Sequence, residues 1–179
     1  MDKYTGRTAV ATFAFASLLA IAGGAHAQVV ISQVYGGGGN GGAPYENDFI
    51  ELHNNGATAV DLGGWSVQYA SSAGTSWQRT NLTGSIAPGG YYLVQQAKGA
   101  NASTPLPTPD ATGTISMSAA AGKVALVNHV TTFSGACPTG SIDFVGFGTG
   151  TNCAQGAVPT ATLSATRPPL RGARGGARR

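Results

Sequence analysis

The sequence predicts an all-β protein, a two-sheet antiparallel sandwich of about seven to nine short strands. Three observations carry that reading. Beyond residue 27 no segment repeats its apolar residues every 3.6 positions, as an amphipathic helix would. Short runs rich in Val, Ile, Tyr, Phe and Thr alternate with period two instead. Turn-forming clusters stand between these runs, at Asn54-Asn55-Gly56, Gly63-Gly64, Pro88-Gly89-Gly90 and Gly122.

Residues 1–27 have the layout of a secretory signal peptide. Lys3 and Arg7 form a basic start, Ala9 to Ala22 is apolar or small, and Ala25-His26-Ala27 suits cleavage between Ala27 and Gln28. The run is shorter than the roughly 20 apolar residues of a membrane span. The expected strands are Val29–Tyr35, Phe49–His53, Trp65–Tyr69, Tyr91–Gln95, Thr114–Met117, Lys123–Val127 and Ile142–Phe147, with Thr58–Leu62 and Ser76–Leu82 as weaker candidates. In the second run Ile50 and Leu52 share one face, and Phe49, Glu51 and His53 the other. Trp65, Val67 and Tyr69 alternate with Ser66 and Gln68, as in a strand with one buried face. Trp65 is expected to fill the space between the sheets, where truncation would cost about 3–5 kcal/mol. Gly36–Gly42 reads as a flexible hairpin loop, and the proline-rich stretch Ala97–Gly113 as an exposed, mobile connection.

Residues 28–166 suit one domain, long enough to fold without a metal. Three basic residues (Arg79, Lys98, Lys123) stand there against six acidic ones, a net charge of −3. The formal +3 of the whole chain therefore comes largely from its end, where Arg167, Arg171, Arg174, Arg178 and Arg179 fall within thirteen residues. Cys137 and Cys153 fit export to an oxidising compartment. Paired, they close a loop of fifteen intervening residues, a cross-link worth about 3 kcal/mol.

Catalytic chemistry finds little to work with. Once the leader is set aside, His53 and His129 are the only histidines. There is no Gly-x-Ser-x-Gly elbow or His-Glu-x-x-His pair. The glycine run does not open a helix or precede a Lys-Ser/Thr, which a phosphate loop requires. Asn40, Glu46, Asn47 and Asp48 carry hard oxygen donors of the calcium-binding kind without EF-hand spacing. No cofactor is expected. Asn81-Leu82-Thr83 and Asn101-Ala102-Ser103 are formal glycosylation sequons.

Four motifs in order resemble the lamin tail domain in its bacterial, secreted form: VISQVYGGGG from Val30, NDFIELHN from Asn47, VDLGGWSVQYA from Val60 and SIAPGGYYLVQ from Ser85. The likeness covers Val29 to Gln96 and continues more loosely to Cys153. It singles out Glu51, Asn54, Leu62, Gly64, Trp65, Gly89 and Gly90 as structural positions. It implies an immunoglobulin-like sandwich and a non-catalytic module for protein, cell-surface or nucleic-acid binding, expected here as a secreted monomer. In secreted bacterial proteins such modules commonly sit beside nuclease or other hydrolase domains. The alternative is thus a share in an extracellular nuclease system whose activity resides in a partner domain. In nuclear lamins the related domain serves protein and chromatin contacts.

The end of the chain, residues 167–179, has two readings. Arg, Pro, Gly and Ala, the residues of codons made only of G and C, fill every position except Leu170. This is what a frameshifted or truncated GC-rich gene produces. The other reading is a basic arm that binds an anionic partner. If the arm is functional, deleting Arg167–Arg179 abolishes DNA binding, and the intact chain shows a log–log salt slope near −4.5, about five phosphate contacts. Binding that survives the deletion removes the arm from consideration.

Overall fold

The computed structural model describes residues 27–101, 104–155 and 160. Among these it forms ten strands and no helix: β1 (Val29–Tyr35), β2 (Asn47–Asn54), β3 (Val60–Asp61), β4 (Ser66–Ser71), β5 (Gln78–Asn81), β6 (Ser85–Ile86), β7 (Tyr91–Lys98), β8 (Ala111–Thr112), β9 (Gly122–Val127) and β10 (Asp143–Phe147). One four-stranded sheet runs β1-β2-β7-β8, the other β10-β9-β4-β5, and β3 pairs with β6 apart from both. Every pair of strands is antiparallel except β7–β8.

The period-two pattern places the core between the sheets. Val29, Ile31 and Val34 of β1, Ile50 and Leu52 of β2, and Tyr92 and Val94 of β7 face Val67 and Tyr69 of β4, Val124 and Leu126 of β9, and Val145 and Phe147 of β10. Each such large apolar side chain contributes roughly 1.5–3 kcal/mol by leaving water. Strict alternation would put Val34 on the opposite face from Ile31. A bulge between Ile31 and Gln33 adds one residue and restores Val34 to the core. Both seams between the sheets are closed by polar side chains. Ile31 N donates to Asp143 Oδ2 at 2.8 Å. At the opposite seam, Gln96 Nε2 donates to Thr80 Oγ1 at 2.9 Å, and Gln96 Oε1 accepts from Ile115 N at 3.1 Å.

Four expectations need correction. Thr114–Met117 is not a strand. Its Ile115 and Met117 still enter the core, but their N–H groups go to the side chains of Gln96 and Asp48 rather than to a ladder. The strand forms earlier, at β8, in parallel with β7. Trp65 does not fill the core: the Asp61–Trp65 corner closes with Trp65 N on Leu62 O at 3.0 Å. This buries Leu62 completely and leaves Trp65 part-buried at the rim. The glycine segment is not an open loop throughout. Gly36, Gly37 and Gly39 are buried, and a Cβ on Gly38 would run into the Asn47–Asp48 backbone, so this arch is glycine because backbone packs on backbone. The stretch from Ala97 to Gly113 is exposed as expected but tied down. Gly99 N donates to Glu46 O, Asn101 N to Gly39 O, and Asp110 N to Leu93 O, each at 2.9 Å.

Strands β4, β9 and β10 of the second sheet are buried on both faces. Ser66 and Gln68, which alternate with core residues, are fully buried because residues 129–136 cross over them as a strap. Side chains of the sheet hold the strap by its backbone. Ser66 Oγ donates to His129 O (2.7 Å), Arg79 Nη1 to Val130 O, and Gln68 Nε2 to Thr131 O (2.9 Å). Gln68 Oε1 accepts from Phe133 N (2.8 Å), and Trp77 Nε1 donates to Gly135 O (3.0 Å). Beneath lie Ala70, Trp77, Ala125, Val127, Phe144 and Cys153, with Phe133 packed on them. Trp77 is the buried tryptophan of the fold.

Lys123 anchors the strap's far end. Its side chain is fully buried, and Nζ donates to Gly74 O and Ala136 O at 2.7 Å and to Asn152 Oδ1 at 2.8 Å. The ammonium also lies 5.4 Å from the Trp77 ring centroid, a cation–π distance. Burial pushes its pKa below the usual lysine value. The Cys137–Cys153 disulfide, with Cα atoms 5.3 Å apart, joins the residues following Ala136 and Asn152. Lys123→Met leaves three buried or part-buried acceptors without their donor, and a loss of at least about 2 kcal/mol is expected in urea unfolding. A change below about 0.5 kcal/mol would show that the other contacts suffice to hold the strap.

Candidate functional site

The two outer faces of the sandwich differ. The second sheet lies under its strap, whereas among the described residues no comparable segment crosses the first. Strand register arranges the open face in rows. Val30, His53 and Tyr91 form one row, Gln33, Glu51 and Leu93 the next, and Tyr35, Phe49 and Gln95 the third. Tyr35 and Phe49 stack at 5.1 Å, and Tyr45 meets both edge-on at 6.0 Å, so this row is sealed. The first two rows remain accessible: Gln33, Glu51, His53 and Leu93 are half-buried, and Tyr91 is 62% exposed.

Two expected residues, Glu51 and His53, lie on this face. Alternation puts them on the same side of β2, roughly 7 Å apart along the strand. Ser32, the residue extruded by the β1 bulge, donates its hydroxyl to Glu51 Oε1 at 2.6 Å. The His53 ring stacks on Tyr91 at 4.4 Å and 27°. The carboxylate and the imidazole thus engage different neighbours rather than each other. The result is a patch with one carboxylate, one imidazole, one exposed phenol, and amide and apolar side chains between them.

The four oxygen-donor residues are not brought together. Asn40 is exposed at the tip of the β1–β2 connection, and Glu46 pairs with Lys98 at 3.0 Å. Asn47 Nδ2 donates to Gln96 O at 2.9 Å. Asp48 turns into the protein, where its two oxygens accept from Gly38 N (2.9 Å) and Met117 N (2.8 Å). Among the described residues no group of three or more His, Cys, Asp or Glu is placed to hold a metal. His129 lies at the start of the strap, edge-on to Phe133.

The positions singled out by the resemblance form a structural set. Asn54 is fully buried, and its Nδ2 lies within hydrogen-bonding distance of Thr58 O, Ile86 O and Ala87 O. Its Oδ1 accepts from Gly56 N, while its backbone exchanges hydrogen bonds with Gly89 and Gly90. One side chain therefore gathers two turns. Gly64, with φ of +79°, occupies the left-handed region that closes the corner around Leu62. Gln28, beside the expected cleavage point at Ala27, is docked through Nε2 to Thr58 O and Oγ1. The Arg167–Arg179 segment and most of the leader lie outside the described residues.

Tyr91 and Lys123 were not anticipated as special. Lys123 carried a faint signal, since it shares a strand face with Ala125 and Val127, an unusual setting for a solvent lysine. Tyr91 carried none, because its contact with His53 depends on the β2–β7 register.

The fold and the set around Asn54 define a two-sheet, immunoglobulin-like β-sandwich module, and the pattern of the whole chain agrees. The Lamin Tail Domain family model matches residues 23–148, from before β1 through β10. The chain belongs to the lamin tail domain family. No curated protein matches it. Among the described residues no helix is long and apolar enough to cross a membrane.

Burial raises the pKa of Asp48 to about 6 from 3.8, against the lowering effect of its two backbone donors. Between those values the folded chain holds a proton that the unfolded chain has lost, so the Asp48 contribution is most favourable in acid. It falls as pH rises through that window and is flat above it. On going from pH 7 to pH 4.5, wild type should gain about 2 kcal/mol relative to Asp48→Asn. Parallel stability–pH curves for the two proteins in urea would contradict this.

Proposed function

We propose that this chain is an exported, non-catalytic lamin tail module that presents the open face of its first sheet to a protein, cell-surface or nucleic-acid partner. The asymmetry of the sandwich supports this reading: one face is strapped shut, and the other displays Gln33, Glu51, His53, Tyr91 and Leu93 to solvent. Exposed aromatic side chains with polar neighbours are common anchors of recognition surfaces. The leader pattern and the disulfide support export.

The binding reading is tested with a photo-crosslinking residue placed at Tyr91 or, as control, at the strap residue Val130, on the opposite side of the sandwich. Cell-envelope fractions and duplex and single-stranded DNA serve as separate probes. Adducts should form from position 91 and be lost with His53→Ala, while the melting temperature moves little. Equal adducts from both positions would refute the assignment of the face. For the non-catalytic reading, plasmid is incubated with substoichiometric protein and Mg²⁺ or Ca²⁺. No turnover is expected, and turnover would place an activity in this chain.

A further inference from the structure

The chain contains two Asn-Gly pairs, Asn40-Gly41 and Asn55-Gly56. We infer that Asn40 is a site of spontaneous deamidation in the folded protein, and that Asn55 is protected from the same reaction by the fold. In this chemistry the backbone nitrogen of the following residue attacks the asparagine Cγ. The new N–Cγ bond replaces the amide C–N bond, ammonia leaves with the proton lost from that nitrogen, and a five-membered succinimide remains. Water then opens the ring at either carbonyl, giving aspartate or isoaspartate. Glycine permits the attack best because it has no Cβ to crowd the nitrogen. The step further requires an unengaged N–H on that glycine, a free side-chain amide and a backbone with room to turn.

The two sites differ in the glycine N–H and in the freedom of the backbone. Gly56 N donates to Asn54 Oδ1 at 2.9 Å, and Asn55 N donates to Gln28 O at 2.7 Å. The Gln28 side chain also packs directly against Gly56. The nucleophile is thus occupied, and the backbone is held on both sides of Asn55. At the other site the Asn40 side chain is exposed, and among the described residues neither its amide nor Gly41 N has a hydrogen-bond partner. A Cβ built on Gly41 or Gly42 would meet nothing within 4 Å. The local restraints are the turn bonds Asn40 N to Gly37 O (3.1 Å) and Ala43 N to Asn40 O (3.0 Å). The packed arch from Gly36 to Gly39 lies before the reacting pair, so the product forms at a solvent-facing tip while the sandwich stays intact. Each event adds one negative charge to a body that carries −3, and the isoaspartate form inserts an extra methylene into the main chain.

The purified full chain is incubated at pH 8 and 37 °C, folded or unfolded in guanidinium, and followed by peptide mapping and isoaspartate assay. In the folded protein Asn40 should gain one mass unit at least tenfold faster than Asn55, and unfolding should bring the two rates within about threefold of each other. Gly41→Ala, which the open space and ordinary φ accommodate, should slow Asn40 at least tenfold with the melting temperature unchanged. Comparable folded-state rates, an intact Asn40, or insensitivity to Gly41→Ala would each overturn the assignment.

Discussion

The outer half of this molecule depends on one buried ammonium. Lys123 sits in the middle of a sheet with backbone carbonyls and an amide oxygen as its hydrogen-bond partners, and it is tolerated there because three oxygens from three separate segments converge on it. A cation buried without such partners would be strongly unfavourable. The need to satisfy it therefore fixes where the β4–β5 hairpin, the strap and the segment before Cys153 must lie. The disulfide then ties together the two segments that Lys123 has already positioned. Remove the cation, and the cross-link would join two segments that no longer share a seat.

This arrangement explains why the sandwich has a front and a back. Small buried residues such as Ser66, Ala70 and Ala125 let the strap approach the second sheet, and Gln68 and Arg79 provide hydrogen bonds along its length. A third strand-like ladder is thus replaced by side chains reaching up to a passing main chain. The first sheet has a bulge, a stacked His53–Tyr91 pair and a hydroxyl-bound Glu51 in the corresponding place, so its accessible surface is chemically mixed instead of sealed.

The inner face of the sandwich was legible in the sequence because period two is a local signal, and Ile50, Leu52, Val67 and Val94 obey it. The outer face of the second sheet was not. Ser66, Gln68 and Lys123 look like solvent residues in one dimension, and partners reach them from outside their own strands: the strap for all three, and Gly74 and Asn152 as well for Lys123. The same limit applies to the tryptophans. The corner motif draws attention to Trp65, yet the tight turn commits Leu62 to the core, while Trp77 is buried by a strap no local pattern announces. Thr114–Met117 alternates like a strand but meets the side chains of Gln96 and Asp48 where a ladder would be. On the candidate surface Glu51 and His53 could be placed on one side of β2, whereas their partners Ser32 and Tyr91 depended on a bulge and a register set by non-local pairing.

The sealed seams have a consequence for life among other copies of the chain. A β-sandwich exposes strand margins, and unpaired margins recruit strands from neighbouring molecules. Here β1 spends the Ile31 N–H on Asp143, and Thr160 lies against the margin of β10 through Gly146 O and Gly148 N. At the far margin β8 is only two residues long. Among the described residues, three of the four margins of the two four-stranded sheets are thus occupied or cut short, and β5 is the four-residue margin left. The module offers little strand edge for its sheets to fuse into continuous fibrillar ribbons when crowded or repeated in tandem, which leaves recognition chiefly to side chains on a face.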